Sequence, residues 1–204
     1  MYDLENIFKN YNPGVIGPEK ILFSSIVVPV INIDGEQHVI FEVRSKRLKS
    51  QPGEVSFPGG KVDENESPLN AARREFSEEL DAAQEKIEII SELDIYFAAS
   101  RGLIFCYLGV VDESINLNVR NSEVEELFTV PLKFFIETEP EVYTNSIRVF
   151  PDENFPYEKM KISETYNWGI QNYPVLFYNY GGHIIWGITA NIINNFAKKI
   201  KDKL

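Results

Sequence analysis

Runs of strands with three or four helices between or after them predict an α+β fold, or an α/β sandwich with a mixed sheet, rather than a regular βαβ alternation. Three observations carry this expectation. β-branched residues fill 21–33 and 38–43 on either side of Asp34-Gly35, an almost continuous apolar run covers 103–111, and helix-like patterns follow Ser67 and close the chain from residue 185.

In chain order, residues 2–10 read as a short helix, followed by turn formers at Asn12-Pro13-Gly14 and Gly17-Pro18. Residues 1–20 are therefore a helical and turn-rich lead-in, and 21–204 a single domain without internal repeat or low-complexity linker. The strand at 21–33 carries Pro29, which predicts an edge or a bulge because proline lacks a ladder donor. Asp34-Gly35 signals a hairpin that returns at 38–43. Further strands are expected at 54–57 and 87–96. The run at 103–111 is short enough for a buried strand and holds the only cysteine, Cys106, expected to pack as a small core residue. Pro131 opens a short helix to residue 136, and 137–180 scatters aromatics such as Tyr143, Phe155 and Trp168 over uneven strand-like pieces. Residues 185–204 close the chain as a helix whose terminal lysines complement the helix dipole.

The 204 residues are 44% hydrophobic and 25% charged, an ordinary globular composition long enough to bury one good core. A net charge of −11 and a pI near 4.7 argue against a nucleic-acid backbone or an anionic membrane as partner, since both demand basic surface. A single cysteine excludes an intramolecular disulfide and a cysteine zinc cluster. The first ten residues are acidic without an apolar run, so no secretory signal is expected, and no stretch approaches the ~20 apolar residues of a membrane span. The cytoplasm is the expected compartment. A homodimer is compatible with the sequence.

The pattern that carries chemistry begins at Ser67-Pro68, where serine can cap a helix and proline fits its first position. Leu69, Ala72, Phe76, Leu80 and Ala83 then recur at helical spacing and form a stripe expected to face the sheet. Glu75, Glu78 and Glu79 gather on a neighbouring face, where like charges destabilise one another unless a cation neutralises them. A hard ion with oxygen ligands, Mg²⁺ or Mn²⁺, suits such a cluster. Just upstream, Val55-Ser56-Phe57-Pro58-Gly59-Gly60 is a strand running into a glycine pair, and glycines there let backbone N–H groups approach an anionic ligand.

Gly60, Glu66, Arg74, Glu75, Glu78 and Glu79 fall in the frame G-x5-E-x7-R-E-x-x-E-E, which resembles the Nudix box. Asp81 stands where that box has glycine, and Asp tolerates a left-handed helix end better than most residues. The resemblance covers roughly 22–197 and implies an α/β/α sandwich with a mixed sheet that hydrolyses a pyrophosphate linkage with Mg²⁺ or Mn²⁺. It implies Glu75 and Glu79 as metal ligands, Glu78 as a third ligand or as the partner of Arg74, and Glu78, Glu79 and Arg74 as the catalytic group. The general base stays open among Glu78, Glu79 and the later acids Glu123, Glu125 and Glu126.

Arg44-Ser45, Leu48 and Gly53-x-Val55-x-Phe57-Pro58-Gly59-Gly60 are similar to the extra signature of coenzyme A pyrophosphatases, as is Ile185-Trp186-Gly187-Ile188-Thr189-Ala190. The chain departs from that pattern at Gln51 and in Ser100-Arg101-Gly102-Leu103-Ile104-Phe105. This implies coenzyme A or acyl-coenzyme A as the small-molecule nucleotide substrate, with Arg44, Ser45, Gly59 and Gly60 binding it. ADP-ribose or a related dinucleotide is the alternative, and a nucleotide-sensing module without catalysis is the alternative of another class. His38 and His183 lie in or beside turns, and nothing in the sequence places either on a metal.

Overall fold

The structure, a computed structural model, describes residues 3–11, 15–16, 21–98 and 102–203. The expected turns at 12–14 and 17–18, and Ser100-Arg101, lie outside the described residues. In chain order the elements are α1 (Leu4–Phe8), β1 (Phe23–Ile33), β2 (Glu36–Arg44), β3 (Val55–Ser56), β4 (Gly59–Lys61) and α2 (Pro68–Glu79). A short 3-10 turn (Gln84–Lys86) leads to β5 (Ile87–Glu92), β6 (Tyr96–Ala98), β7 (Gly102–Val111) and β8 (Val124–Pro131). The chain continues through α3 (Leu132–Glu137), β9 (Glu141–Arg148), α4 (Tyr157–Met160), β10 (Ile170–Tyr180), β11 (His183–Trp186) and α5 (Gly187–Lys201).

The principal sheet has eight strands around the backbone order β3-β2-β1-β7-β5, with β4 on β1, β6 on β7 and β8 on β2. It is mixed, because β1 runs parallel to β7 and antiparallel to β2 and β4. A second sheet orders β11-β10-β9. One face of the principal sheet packs against α2 through Val27, Ile40, Ala72, Phe76 and Leu80; the other packs against α3 and α5 through Val39, Phe41, Phe135, Ile193 and Phe196. Helices on both faces make the expected α/β/α sandwich. Burying a side chain the size of Phe76 contributes roughly 1.5–3 kcal/mol, which fixes the roll of α2 about its axis.

Four expectations need correction. β1 is central rather than an edge, although it contains Pro29. Its ladder to β4 ends at Ile26 and that to β2 starts at Val30, while the Val27 N–H donates to the Pro58 carbonyl on that side. Backbone donors alternate along a strand, so Pro29 places its missing N–H in the gap between two partners. The strand expected at 87–96 is two strands: after Glu92 the chain turns to α5, where the Asp94 carboxylate accepts from Asn195 (2.8 Å) and pairs with Lys199 (2.9 Å). Ala83 leaves the apolar stripe and is exposed, because α2 stops at Glu79 and Asp81 takes a left-handed φ of 48°. Ile185 belongs to β11, and α5 starts only at Gly187, whose φ is 61°. Gly181 and Gly182, both left-handed, make the β10–β11 turn.

Candidate active site

Helix α2 is held at its start by two contacts. Ser67 caps it, accepting from the Asn70 N–H (3.2 Å), and the Ser25 hydroxyl of β1 donates to the Pro68 carbonyl (2.6 Å). With Phe76 and Leu80 turned into the sheet, Glu79 on the last turn is drawn inward and is only 2% exposed. Its carboxylate accepts the Gly59 N–H at 2.8 Å. Strand β4 therefore runs close against the helix, and this explains the glycine pair. A Cβ on Gly60 would collide with the Glu75 carboxylate, and one on Gly59 with the backbone of Ser25 and Ile26.

Arg74 organises the acids around it. Its guanidinium makes a bidentate pair with Glu66 (3.0 Å to each oxygen), and donates to Glu75 (2.8 Å), Glu78 (3.3 Å) and the Lys61 carbonyl (3.1 Å). Planar, forked donors suit this arrangement, and a lysine could not reproduce it. The Glu66 bond, foremost, and the Glu75 bond hold Arg74 charged. Burial pushes the Glu75 carboxyl up, and Arg74 pulls it partly back. Glu78 is 61% exposed and its described contact is with Arg74, the second of the two roles the sequence leaves open to it.

The sequence reading missed Glu42. It sits mid-strand on β2, fully buried, on the same face as Ile40 and turned toward α2. The Ser56 hydroxyl donates to one of its oxygens (2.7 Å), the Arg44 guanidinium lies 3.7 Å from that oxygen, and the other oxygen is buried without a hydrogen-bond partner. Glu42 and Glu79 face one another, and both carboxyls are pushed well above the ordinary range, each by burial first. The signal available in the sequence was an acid set between Phe41 and Val43, directly after the apolar run Val39-Ile40-Phe41.

Among the described residues, no group of three or more His, Cys, Asp or Glu side chains is arranged as a ready-made metal site. The donor chemistry nevertheless fits a hard divalent cation. Two buried carboxyls repel each other, one oxygen lacks a partner, and Glu75 stands close enough to add its charge to that on Glu79. Burying like charges this way is costly unless a cation or a shared proton offsets it.

Arg44, Gly59, Gly60 and Lys61 line a cleft of about 290 Å³ beside these acids. Arg44 Nε is buried there without a partner. Ser45 is placed differently: it is buried, its N–H donates to the Glu123 carbonyl (2.7 Å), and its hydroxyl accepts from the Arg47 N–H (3.4 Å). Lys46, Arg47 and Lys49 are exposed. Of the later acids, Glu123 is exposed and its charge reaches Glu42 and Glu75, whereas Glu125 pairs with Arg120 (3.4 Å) and Glu126 with His183 (3.4 Å). His183 also stacks on Phe128, and His38 lies 3.8 Å from Glu36.

Fold and site together define a class: a mixed-sheet sandwich with an acidic helix packed on a glycine strand, the architecture of Nudix pyrophosphohydrolases. The family profile described as the NUDIX domain matches residues 23–151, and the chain belongs to that family. It is 34% identical over 148 residues to the peroxisomal coenzyme A diphosphatase of Mus musculus, covering 70% of this chain and 62% of that one. It is 26% identical over 181 residues to the mitochondrial coenzyme A diphosphatase of Homo sapiens, covering 87% of this chain and 68% of that one. The crystal structure of a MutT/nudix family protein from Enterococcus faecalis shares the fold, with a TM-score of 0.50 at 14% identity, over 98% of this chain and 70% of that one. Among the described residues, no helix is long and apolar enough to cross a membrane.

Proposed function

We propose that residues 21–204 act as one metal-dependent domain that cleaves the pyrophosphate linkage of coenzyme A or acyl-coenzyme A, giving 3′,5′-ADP and 4′-phosphopantetheine or its acyl derivative. The observation that carries this reading is the buried Glu42–Glu79 pair and the two cleft-lining residues it touches, Arg44 at 3.7 Å from Glu42 and Gly59, whose N–H donates to Glu79. The two relatives named as coenzyme A diphosphatases support the substrate. The single, buried Cys106 is compatible with a reducing compartment, and we propose the cytoplasm.

Glu79 and Glu75 would hold Mg²⁺ or Mn²⁺, with Glu42 and Glu78 the further carboxylates in reach. When bound, the cation neutralises charge on the phosphate oxygens and makes water more acidic. Arg74 keeps Glu75 in place through its clamp on Glu66. Arg44 offers a fork to a phosphate at the cleft wall. Glu79 keeps the Gly59 N–H occupied, so β4 and the helix end stay in register while substrate binds. A base accepts a proton from the attacking water; Glu123 is favoured over Glu125 and Glu126, which are engaged with Arg120 and His183.

The test is a panel of diphosphate compounds, among them coenzyme A and ADP-ribose, incubated with Mg²⁺ or Mn²⁺ and followed by product mass. Faster turnover of ADP-ribose than of coenzyme A at equal low concentration would overturn the substrate assignment and leave the hydrolase reading standing.

A further inference from the structure

The segment after residue 140, whose aromatics the hydrolase reading leaves without a role, builds one wall of a second cleft. β9 and β10 pair antiparallel from Glu141↔Phe177 to Arg148↔Ile170. Nearly all of β9 and residues 170–174 of β10 are exposed, so the ribbon stands away from the core. A two-stranded ribbon is marginal by itself. Here it faces β6 and the β11–α5 junction across about 450 Å³, within the size range of small-molecule sites.

The walls are distinctive. Ile147 and Tyr173 of the ribbon face Phe97, Trp186 and Ile188 across the cleft, and Asn145, Gln171 and Asn191 supply primary amides. Glu54, hydrogen-bonded by Gln51 (2.8 Å), is the one carboxylate among the described lining residues, and no lysine or arginine is among them. A phosphate or carboxylate placed there would lose its hydration without a cation in return. An uncharged chain would not, and its amides could exchange hydrogen bonds with the wall. Gln51, Glu54, Ile188 and Thr189 line this cleft and the one past Arg44 and Gly59, so the two form one groove.

We propose that the second cleft seats the uncharged half of the substrate, an extended amide-bearing chain with an apolar end, as in the pantetheine arm and acyl tail of acyl-coenzyme A. This deepens the proposed function and rests on it for the identity of the substrate. The cationic end of the groove then takes the phosphates, and the ribbon selects what hangs from them. Each methylene buried between the aromatics raises affinity about fourfold.

The experiment has two arms, run on the full chain and on Ile147→Glu, with Tyr173→Ala as the second variant. Both positions lie on the ribbon outside the buried core, and the unfolding midpoint checks that the fold is kept. In the first arm pantetheine is titrated while tryptophan fluorescence reports on Trp186. Saturable binding that weakens at least tenfold in Ile147→Glu is expected. In the second arm, kcat/KM is measured for acetyl- and octanoyl-coenzyme A. The octanoyl ester, with six more methylenes, should be preferred at least about fourfold by the full chain, the gain for burying one of them, and that preference should vanish in the variants. Absence of saturable pantetheine binding, or an acyl preference unchanged in both variants, overturns the inference even if coenzyme A is cleaved. Pantetheine binding that Ile147→Glu abolishes, in a chain that cleaves no diphosphate compound, supports the cleft and overturns the hydrolase reading instead.

Discussion

Replacing Glu79 by Gln separates the stability of this site from its chemistry. The side chain is almost wholly buried, receives the Gly59 N–H and faces Glu42. Glutamine keeps an oxygen for Gly59, removes one charge and can donate to the unpartnered Glu42 oxygen. Both carboxyls have folded pKa values raised above the unfolded value of 4.5, so above that pH the folded chain holds protons that the unfolded chain has released. Their contribution to stability is therefore intact below about pH 4.5 and is lost as pH rises. Each unit of raised pKa opposes folding by about 1.4 kcal/mol once both values are passed. In EDTA, Glu79→Gln should thus equal the parent near pH 4.5 and exceed it by on the order of 1–3 kcal/mol at pH 8.5. If Glu79 holds the cation as proposed, turnover should fall at least ~100-fold. The assays are urea unfolding across that pH range and hydrolysis at limiting Mg²⁺. A variant less stable than the parent at pH 8.5, or one with full turnover at limiting Mg²⁺, would refute the reasoning.

Further outcomes follow from the same contacts. Arg74→Ala releases Glu66, Glu75 and Glu78 together; it should cost about 1–3 kcal/mol of stability and weaken apparent metal affinity more than substrate affinity, read from Mg²⁺ and substrate titrations. A rise in the substrate constant alone would make it a phosphate contact. Gly60→Ala drives a methyl group into the Glu75 carboxylate, so a loss of about 1–3 kcal/mol with a marked fall in turnover is expected from unfolding and rate measurements. Asp81→Gly relieves the left-handed φ at the end of α2 and should raise stability by about 0.5–1 kcal/mol without changing kcat. If Arg44 holds the 3′-phosphate of coenzyme A, dephospho-coenzyme A loses a charge-assisted contact worth roughly 1.5–3 kcal/mol and should be cleaved about ten- to a hundredfold less efficiently. Equal kcat/KM for the two compounds would remove that contact.

What the sequence disclosed tracks how local each signal is. Helix α2 was legible from its start through Leu80, since Ser67, Pro68 and the apolar stripe act on the backbone within a few residues of themselves, whereas the left-handed turn at Asp81 takes Ala83 off the stripe. The acids of the box were legible as a group, but not their division of labour. Whether Glu75, Glu78 or Glu79 is buried depends on how α2 rolls against β1 and β4, which only packing sets. Glu42 was hidden because its partner Glu79 is far along the chain and on another element. Pro29 misled because its missing donor matters only once the neighbours on that side are known to change from β4 to β2. The 137–180 region resisted for a physical reason as well: β9 is exposed on both faces, so the alternation that marks a half-buried strand never arises.

The most direct test of the account is to incubate the full chain with coenzyme A and Mg²⁺ in ¹⁸O-labelled water, alongside EDTA and Glu79→Gln controls, and weigh the products. The expected products are 3′,5′-ADP and 4′-phosphopantetheine, one of them carrying a single ¹⁸O on phosphorus, with none in EDTA and at least ~100-fold less in Glu79→Gln. Cleavage that persists undiminished in EDTA or in Glu79→Gln, or no cleavage of coenzyme A or any other diphosphate compound with Mg²⁺ or Mn²⁺, would contradict it.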